Sequence, residues 1–261
     1  MRANAADPDS VERGEAREVA ASVLLAVKQA RAGELPPRYS QPYSTTFDAR
    51  VRSALAPGLR ILDVGAGREP TVPAGARPEA CCYVGLDVSQ RELDKAGPGA
   101  YDETLVADVT ERVPTLESRF DLILSWQVME HVKPLDVAFE NLHSYLRPGG
   151  RLISQMSGTF SVFGLLNQLL PQRVGLWTLT QLVGKHPEDV FPAHYHRCWA
   201  SALQQILEPW ATREVFPLYV GAMPYFRFSN LLRAVYIGYE EWTWRRGHAN
   251  LASYYVVDAT R

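Results

Sequence analysis

The stretch Ile61-Leu62-Asp63-Val64-Gly65-Ala66-Gly67 ends an apolar run with two glycines one residue apart. Glycine at those positions permits a tight turn and lets a ligand approach the backbone with no Cβ atom in the way. A dinucleotide fingerprint would place a third glycine at position 70, but that residue is Pro70, which counts against a nicotinamide dinucleotide. Asp87 closes the next apolar run, twenty residues beyond Gly67, where a carboxylate can accept hydrogen bonds from both hydroxyls of a ribose. That spacing suits an adenosine-containing cofactor. Six histidines are available for proton transfer near neutral pH. His194, His196 and Cys198 alternate as ligands on one strand face would, yet three ligands without a clear fourth make a poor zinc site, so no metal is assigned.

The elements that must position these residues follow from periodicity and turn signals. Asp9 with Glu12 reads as a capping box opening a helix whose face is Val19, Val23, Leu24 and Val27 and which Gly33 ends. Prolines 36, 37 and 42 mark a linker, and a short helix covers 47–55. Strands are expected at 59–64, 82–86, 103–107, 121–126 and 151–156, with a capped short helix at Ser89 and a longer one marked by Leu135, Phe139, Leu142 and Leu146. A helix at 201–207 and strands at 211–219 and 251–259 complete the pattern, the latter as an antiparallel pair. Strands alternating with helices predict an α/β fold, a Rossmann-like doubly wound sheet, mostly parallel with an antiparallel last strand. Its ligand belongs beyond the carboxyl ends of the strands, at the switch point in strand order. Residues 1–45 read as an N-terminal helical extension and 46–261 as the main domain, with a helical lid insertion near 157–190 and an aromatic helical segment near 222–246.

Six segments occur in order: Asp63-Val64-Gly65-Ala66-Gly67, Gly85-Leu86-Asp87-Val88-Ser89, Ala107-Asp108-Val109, Phe120-Asp121-Leu122-Ile123-Leu124-Ser125, Glu130-His131-Val132 and Leu146-Arg147-Pro148-Gly149-Gly150. The series resembles that of class I S-adenosylmethionine-dependent methyltransferases of the small-molecule type over residues 59–156. The resemblance implies S-adenosyl-L-methionine as cofactor, with Asp63 among the binding residues and Gly65, Ala66 and Gly67 bending under its methionine part. It implies Asp87 on the ribose, Val88 against the adenine, Asp108 on the adenine amino group with Val109 beside it, and Ser125, Trp126 and Gln127 near the methionine ammonium. By motif position His131 is nearest the cofactor mouth, and the segment carrying His194 and His196 resembles an acceptor-facing one. These three are the candidate bases for deprotonating an acceptor, with a hydroxyl favoured over nitrogen or carbon. One departure stands out. Residues 68–78 hold three prolines and cannot sustain the usual helix after the glycines, so a helix N-terminus is lost to the cofactor's carboxylate and Arg68 is the expected replacement cation.

Composition excludes other roles. A net charge of −2 with no block of like charge leaves no footprint for nucleic acid. Three cysteines imply no disulfide framework, and acidic residues precede the first apolar stretch, so a cytoplasmic protein without signal peptide or transmembrane segment is expected. The acceptor is expected to be a partly apolar small molecule, such as an aromatic metabolite, polyketide or glycolipid, because aromatic residues concentrate after Thr159. Arg227, Arg233, Arg245 and Arg246 beside those aromatics leave peripheral membrane contact open. A cofactor-binding enzyme of non-methylating chemistry, such as cyclisation, and a non-catalytic partner of a methyltransferase are the competing readings.

Overall fold

The computed structural model describes residues 8–161, 164–165, 192–221 and 229–261, with side chains from residue 14. Seven strands form one sheet: β1 (Arg60–Val64), β2 (Cys82–Asp87), β3 (Glu103–Val106), β4 (Phe120–Trp126), β5 (Leu146–Ser157), β6 (Thr212–Leu218) and β7 (Tyr254–Thr260). Their spatial order is β3-β2-β1-β4-β5-β7-β6. β1 to β5 pair in parallel, and β7 inserts antiparallel between β5 and β6. The fold is therefore the α/β doubly wound one expected, with β6 rather than the last strand at the edge. Strand order reverses between β1 and β4, which puts the ligand crevice at their carboxyl ends.

Six α-helices accompany the sheet: α1 (Pro8–Arg31), α2 (Thr45–Ala54), α3 (Gln90–Leu93), α4 (Leu135–Tyr145), α5 (Ala200–Ile206) and α6 (Asn230–Arg245) among the described residues. Alternate strand residues serve opposite faces of the sheet. Leu62, Val64, Val84, Leu86, Ile123 and Leu152 pack with Phe139 and Leu142 of α4 and Leu203 of α5. Ile61, Tyr83, Leu122, Leu124 and Ile153 pack with Phe47 and Val51 of α2. Burial on both faces is why these strands read as continuous apolar runs rather than alternating ones.

The connection from β1 to β2 holds no α-helix, only a 3-10 turn at Ala74–Ala76, as its prolines dictate. α3 is a single turn whose cap, Ser89 Oγ, accepts from Glu92 N at 3.3 Å. α1 begins at Pro8, so Asp9 lies inside the helix instead of capping it, and proline is at home in a first turn. The helix expected within 222–246 runs from Asn230 to Arg245. The lid expected near 157–190 falls largely, and residues 222–228 fall wholly, outside the described residues. Among described residues no helix is long and apolar enough to cross a membrane, and Cys81, Cys82 and Cys198 are free thiols.

Candidate cofactor and acceptor site

The turn after β1 is shaped by contacts from three directions. Gly65 and Gly67 have φ of +71° and +50°, and a Cβ at position 65 would stand 2.2 Å from Val128 Cγ2. Glycine thus lets this turn lie against the end of β4. Gly65 N and Ala66 N donate to Leu86 O at 2.8 and 3.1 Å. Tyr101 OH donates to Ala66 O at 2.6 Å, its ring lying where a side chain at Gly85 would be, 2.8 Å from an added Cβ. Asp63 holds the turn from behind. Fully buried, it accepts from Thr71 N at 2.7 Å, Thr71 Oγ1 at 2.6 Å and Tyr83 OH at 2.8 Å. Burial pushes its carboxyl up to about 6 against those hydrogen bonds.

A cavity of about 510 Å³ opens at the carboxyl ends of β1, β2 and β4, within the range of small-molecule sites. Of the sequence-predicted cofactor residues, Gly65, Gly67, Asp87, Val88, Asp108, Val109, Trp126 and Gln127 line it. Asp87 is nearly buried and oriented by two amides, Gly67 N at 2.9 Å and Ser89 N at 2.8 Å. Asp108 Oδ1 accepts from Thr110 N and Oγ1, both at 2.8 Å. Asp63, Ala66, Arg68 and Ser125 are not among the lining residues. Arg68 instead meets Glu92, with Nε and Nη2 at 3.0 and 2.7 Å from one carboxylate oxygen. Hydrogen bonds from Lys95 and Arg68 push Glu92, which does line the cavity, down to about 2. Ser125 is fully buried in β4.

Among the three candidate bases, His131 and His194 line the cavity and His196 does not. His131 closes the 3-10 turn Met129–His131, and its Nδ1 lies 2.9 Å from Pro192 O. A carbonyl only accepts, so Nδ1 carries a proton, and the nitrogen left for exchanging a proton with an acceptor is Nε2. His196 Nδ1 accepts from Leu135 N at 3.2 Å; Pro134 precedes α4 without a side-chain cap, and the imidazole takes an otherwise unpaired amide of the first turn. Cys198 Sγ faces backbone carbonyls of Met129 and His196, so the alternating His-His-Cys set does not converge. Among the described residues no group of three or more His, Cys, Asp or Glu is arranged to hold a metal ion.

Sequence reasoning did not assign Glu130, Val128 or Lys133 to the site, and it gave no geometry for Gln127. Glu130 is buried; Oε1 accepts from Ser157 Oγ at 2.9 Å and Ser157 N at 3.3 Å, and Oε2 has no partner among the described residues. Burial raises its carboxyl, and the neighbouring His131 opposes the rise. A glutamate inside the apolar stretch Val128-Met129-Glu130 was a usable signal for it. Gln127 sits in the left-handed region at φ +55°, its Oε1 accepting from Ser157 Oγ at 2.9 Å while its Nε2 has no partner among the described residues. Such a backbone in a non-glycine residue costs about 1–2 kcal/mol. Lys133 and Val128 also line the cavity. The glycine cradle and the two oriented carboxylates suit a polar ligand carrying an adenosine.

Residues 29–208 match the family described as methyltransferase domain. The chain therefore belongs to the methyltransferase-domain family, whose cofactor is S-adenosylmethionine. It is 32% identical over 117 residues to the ubiquinone biosynthesis O-methyltransferase of Chelativorans sp. (strain BNC1), covering 41% of this chain and 44% of that one. It is 31% identical over 123 residues to the same-named protein of Bartonella bacilliformis, covering 43% and 48%. The chain thus spans less than half the length of these relatives. Among solved structures, phosphoethanolamine N-methyltransferase 2 of Haemonchus contortus in complex with S-adenosyl-L-methionine superposes with a TM-score of 0.53 at 15% identity, covering 83% of this chain and 52% of that one. That likeness is one of fold.

Proposed function

We propose that this protein transfers a methyl group from S-adenosylmethionine to a hydroxyl of a bulky, partly apolar small molecule. The observation that carries the reading is the convergence on one switch-point cavity of a glycine turn, two oriented carboxylates and a histidine held through its Nδ1 by a backbone carbonyl. When bound, the cofactor supplies an electrophilic methyl carbon. The chain's own residues bind and align. Asp87 would hold the ribose hydroxyls, Val88 and Val109 the adenine faces, and Asp108 the adenine amino group. Gly65, Gly67 and the turn at Trp126 and Gln127 would border the methionine part. Arg68 would act through Glu92, neutralising a carboxylate that otherwise faces the cofactor's own.

His131 would take the acceptor's hydroxyl proton on Nε2, a contribution of about 10²- to 10⁴-fold, while alignment within the cavity supplies roughly 7–11 kcal/mol. For the acceptor, a second cavity of about 650 Å³ lies between residues 37–46, the end of β6 and the end of α6, lined by Tyr43, Leu218, Tyr219 and Trp244. Tyr43 lines it and stacks on Trp126, ring centroids 5.6 Å apart, so one aromatic pair separates it from the cofactor cavity. The relatives' naming as O-methyltransferases supports oxygen as the atom methylated. Calorimetry with S-adenosylmethionine, then methyl-labelled cofactor in cell extract, tests the reading. Cofactor binding with label in an O-methyl product is expected. No binding overturns it, and turnover of a substrate without S-adenosylhomocysteine would favour non-methylating chemistry.

A further inference from the structure

α1 and α6 pack against each other closely, because position 238 is a glycine whose added Cβ would stand 2.6 Å from Val27 Cγ2 and 3.6 Å from Val23 Cγ1. They run antiparallel. Ala26 and Ala30 near the end of α1 cluster with Ala234 and Ile237 of α6, whereas Glu15, Glu18 and Val19 share a cleft with Trp244, Arg245 and Arg246. Beside the seam, on the line that carries Gly238, α6 keeps Leu231, Val235 and Trp242 at 60%, 60% and 40% exposure, with Leu232 next to them at 46%. Positions 231, 235 and 242 follow the helical repeat and form one line. On α1, positions 17, 24, 28 and 31 form the matching line: Arg17, Leu24, Lys28 and Arg31, with Leu24 70% exposed. With Val23 and Val27 at the seam of an antiparallel pair, both lines border it on the same side.

Single exposed leucines are ordinary, but here Leu24, Leu231, Val235 and Trp242 line one side of a helix pair. Its charge is one-signed. Arg17, Lys28 and Arg31 form no ion pair among the described residues. The helices' described carboxylates lie elsewhere: Glu15 and Glu18 border the cleft with Trp244, and Glu240 and Glu241 are buried. Of the arginines expected from sequence to flank α6, Arg245 pairs with Glu241 at 2.6 Å, Arg233 bonds Asn230 at 3.0 Å and Arg246 borders the cleft with Glu15 and Glu18, while Arg227 lies outside the described residues.

We infer that α1 and α6 together form a docking face for an anionic lipid surface. Apolar residues and a tryptophan enter the headgroup boundary while Arg17, Lys28 and Arg31 meet lipid phosphates, the division of labour of interfacial helices. Charge complementarity selects this occupant over a second copy, whose identical face would oppose cation to cation. The test is co-sedimentation of the full chain with vesicles of phosphatidylcholine mixed with phosphatidylglycerol, and with phosphatidylcholine alone, alongside sedimentation velocity without lipid. Binding to the anionic vesicles only, weakened by salt, is expected. Val235→Asp and Leu24→Asp should abolish it with Tm unchanged, and Lys28→Gln with Arg31→Gln should weaken it about fivefold per cation removed. Three outcomes overturn the inference: no binding to anionic vesicles, binding indifferent to these substitutions, or a dimer that Val235→Asp dissociates in a protein that ignores lipid.

Discussion

Asp63 should make the protein less stable as pH rises from 4 to 7, and replacing it should remove that dependence. Its carboxyl is fully buried and accepts three hydrogen bonds, from the Thr71 amide, the Thr71 hydroxyl and Tyr83. Desolvation nevertheless dominates and raises its pKa from 3.8 to about 6. Below the lower value both folded and unfolded chains carry the proton, and the group is neutral to stability. Between the two values only the folded chain holds it, so folding takes up a proton and stability falls with rising pH. Above about pH 6 the full difference is lost, which for this shift is about 3 kcal/mol. The perturbation is Asp63→Asn, nearly the same size, with an acceptor and a donor group much like the protonated acid. Urea unfolding of both proteins from pH 4 to 8 gives two curves, and their difference isolates Asp63 from Glu130 and Glu240, whose burial pushes them the same way. The wild type should lose about 3 kcal/mol relative to the variant across the window. A difference curve that is flat, or that rises with pH, would refute the argument that burial outweighs the hydrogen bonds.

Four further outcomes follow from the site. Gly65→Ala should cost about 2–5 kcal/mol from positive-φ strain and overpacking, and Val128→Ala should recover part of it, since the two nearest atoms to the added Cβ are that valine's methyls; strictly additive denaturation energies would reject the close-approach account. Arg68→Ala should weaken S-adenosylmethionine binding several-fold, and adding Glu92→Gln should restore most of it, as titration calorimetry can show; a double variant as weak as the single would mean that Arg68 does not act through Glu92. His131→Gln should lower turnover by about 10²- to 10⁴-fold while the cofactor Kd stays put, measured by methyl transfer and calorimetry on the same preparation. Tyr43→Ala should raise the acceptor's KM more than it lowers kcat, and an unchanged KM would remove the second cavity from the acceptor's path.

Much of the frame was legible because it is local. Apolar runs of strand length, the Ser89 cap and the prolines that forbid a helix after β1 each act through neighbours a few residues away, and the glycines at 65 and 67 signal a turn even though Val128, which makes glycine necessary at 65, is distant in the chain. Boundaries moved by a few residues, most at β5, which begins at Leu146 because its first residue pairs with Phe120 across a bulge. Asp63 and Asp87 read alike as acids at strand ends, yet one is turned into a buried anchor by Thr71 and Tyr83 and the other lines the cavity.

The sequence by itself determined the alternation of strands and helices, the glycine turn and the carboxylate spacing, since backbone preference and side-chain periodicity are properties of adjacent residues. Only the tertiary structure decided which polar groups face the ligand. His131 is held through its Nδ1 by Pro192, and His196 is taken by the start of α4, each partner 61 residues away. Arg68 is claimed by Glu92 from the next crossover. A polar side chain's role depends on which partner satisfies it once water is excluded, and those partners are brought together by the fold rather than by spacing along the chain.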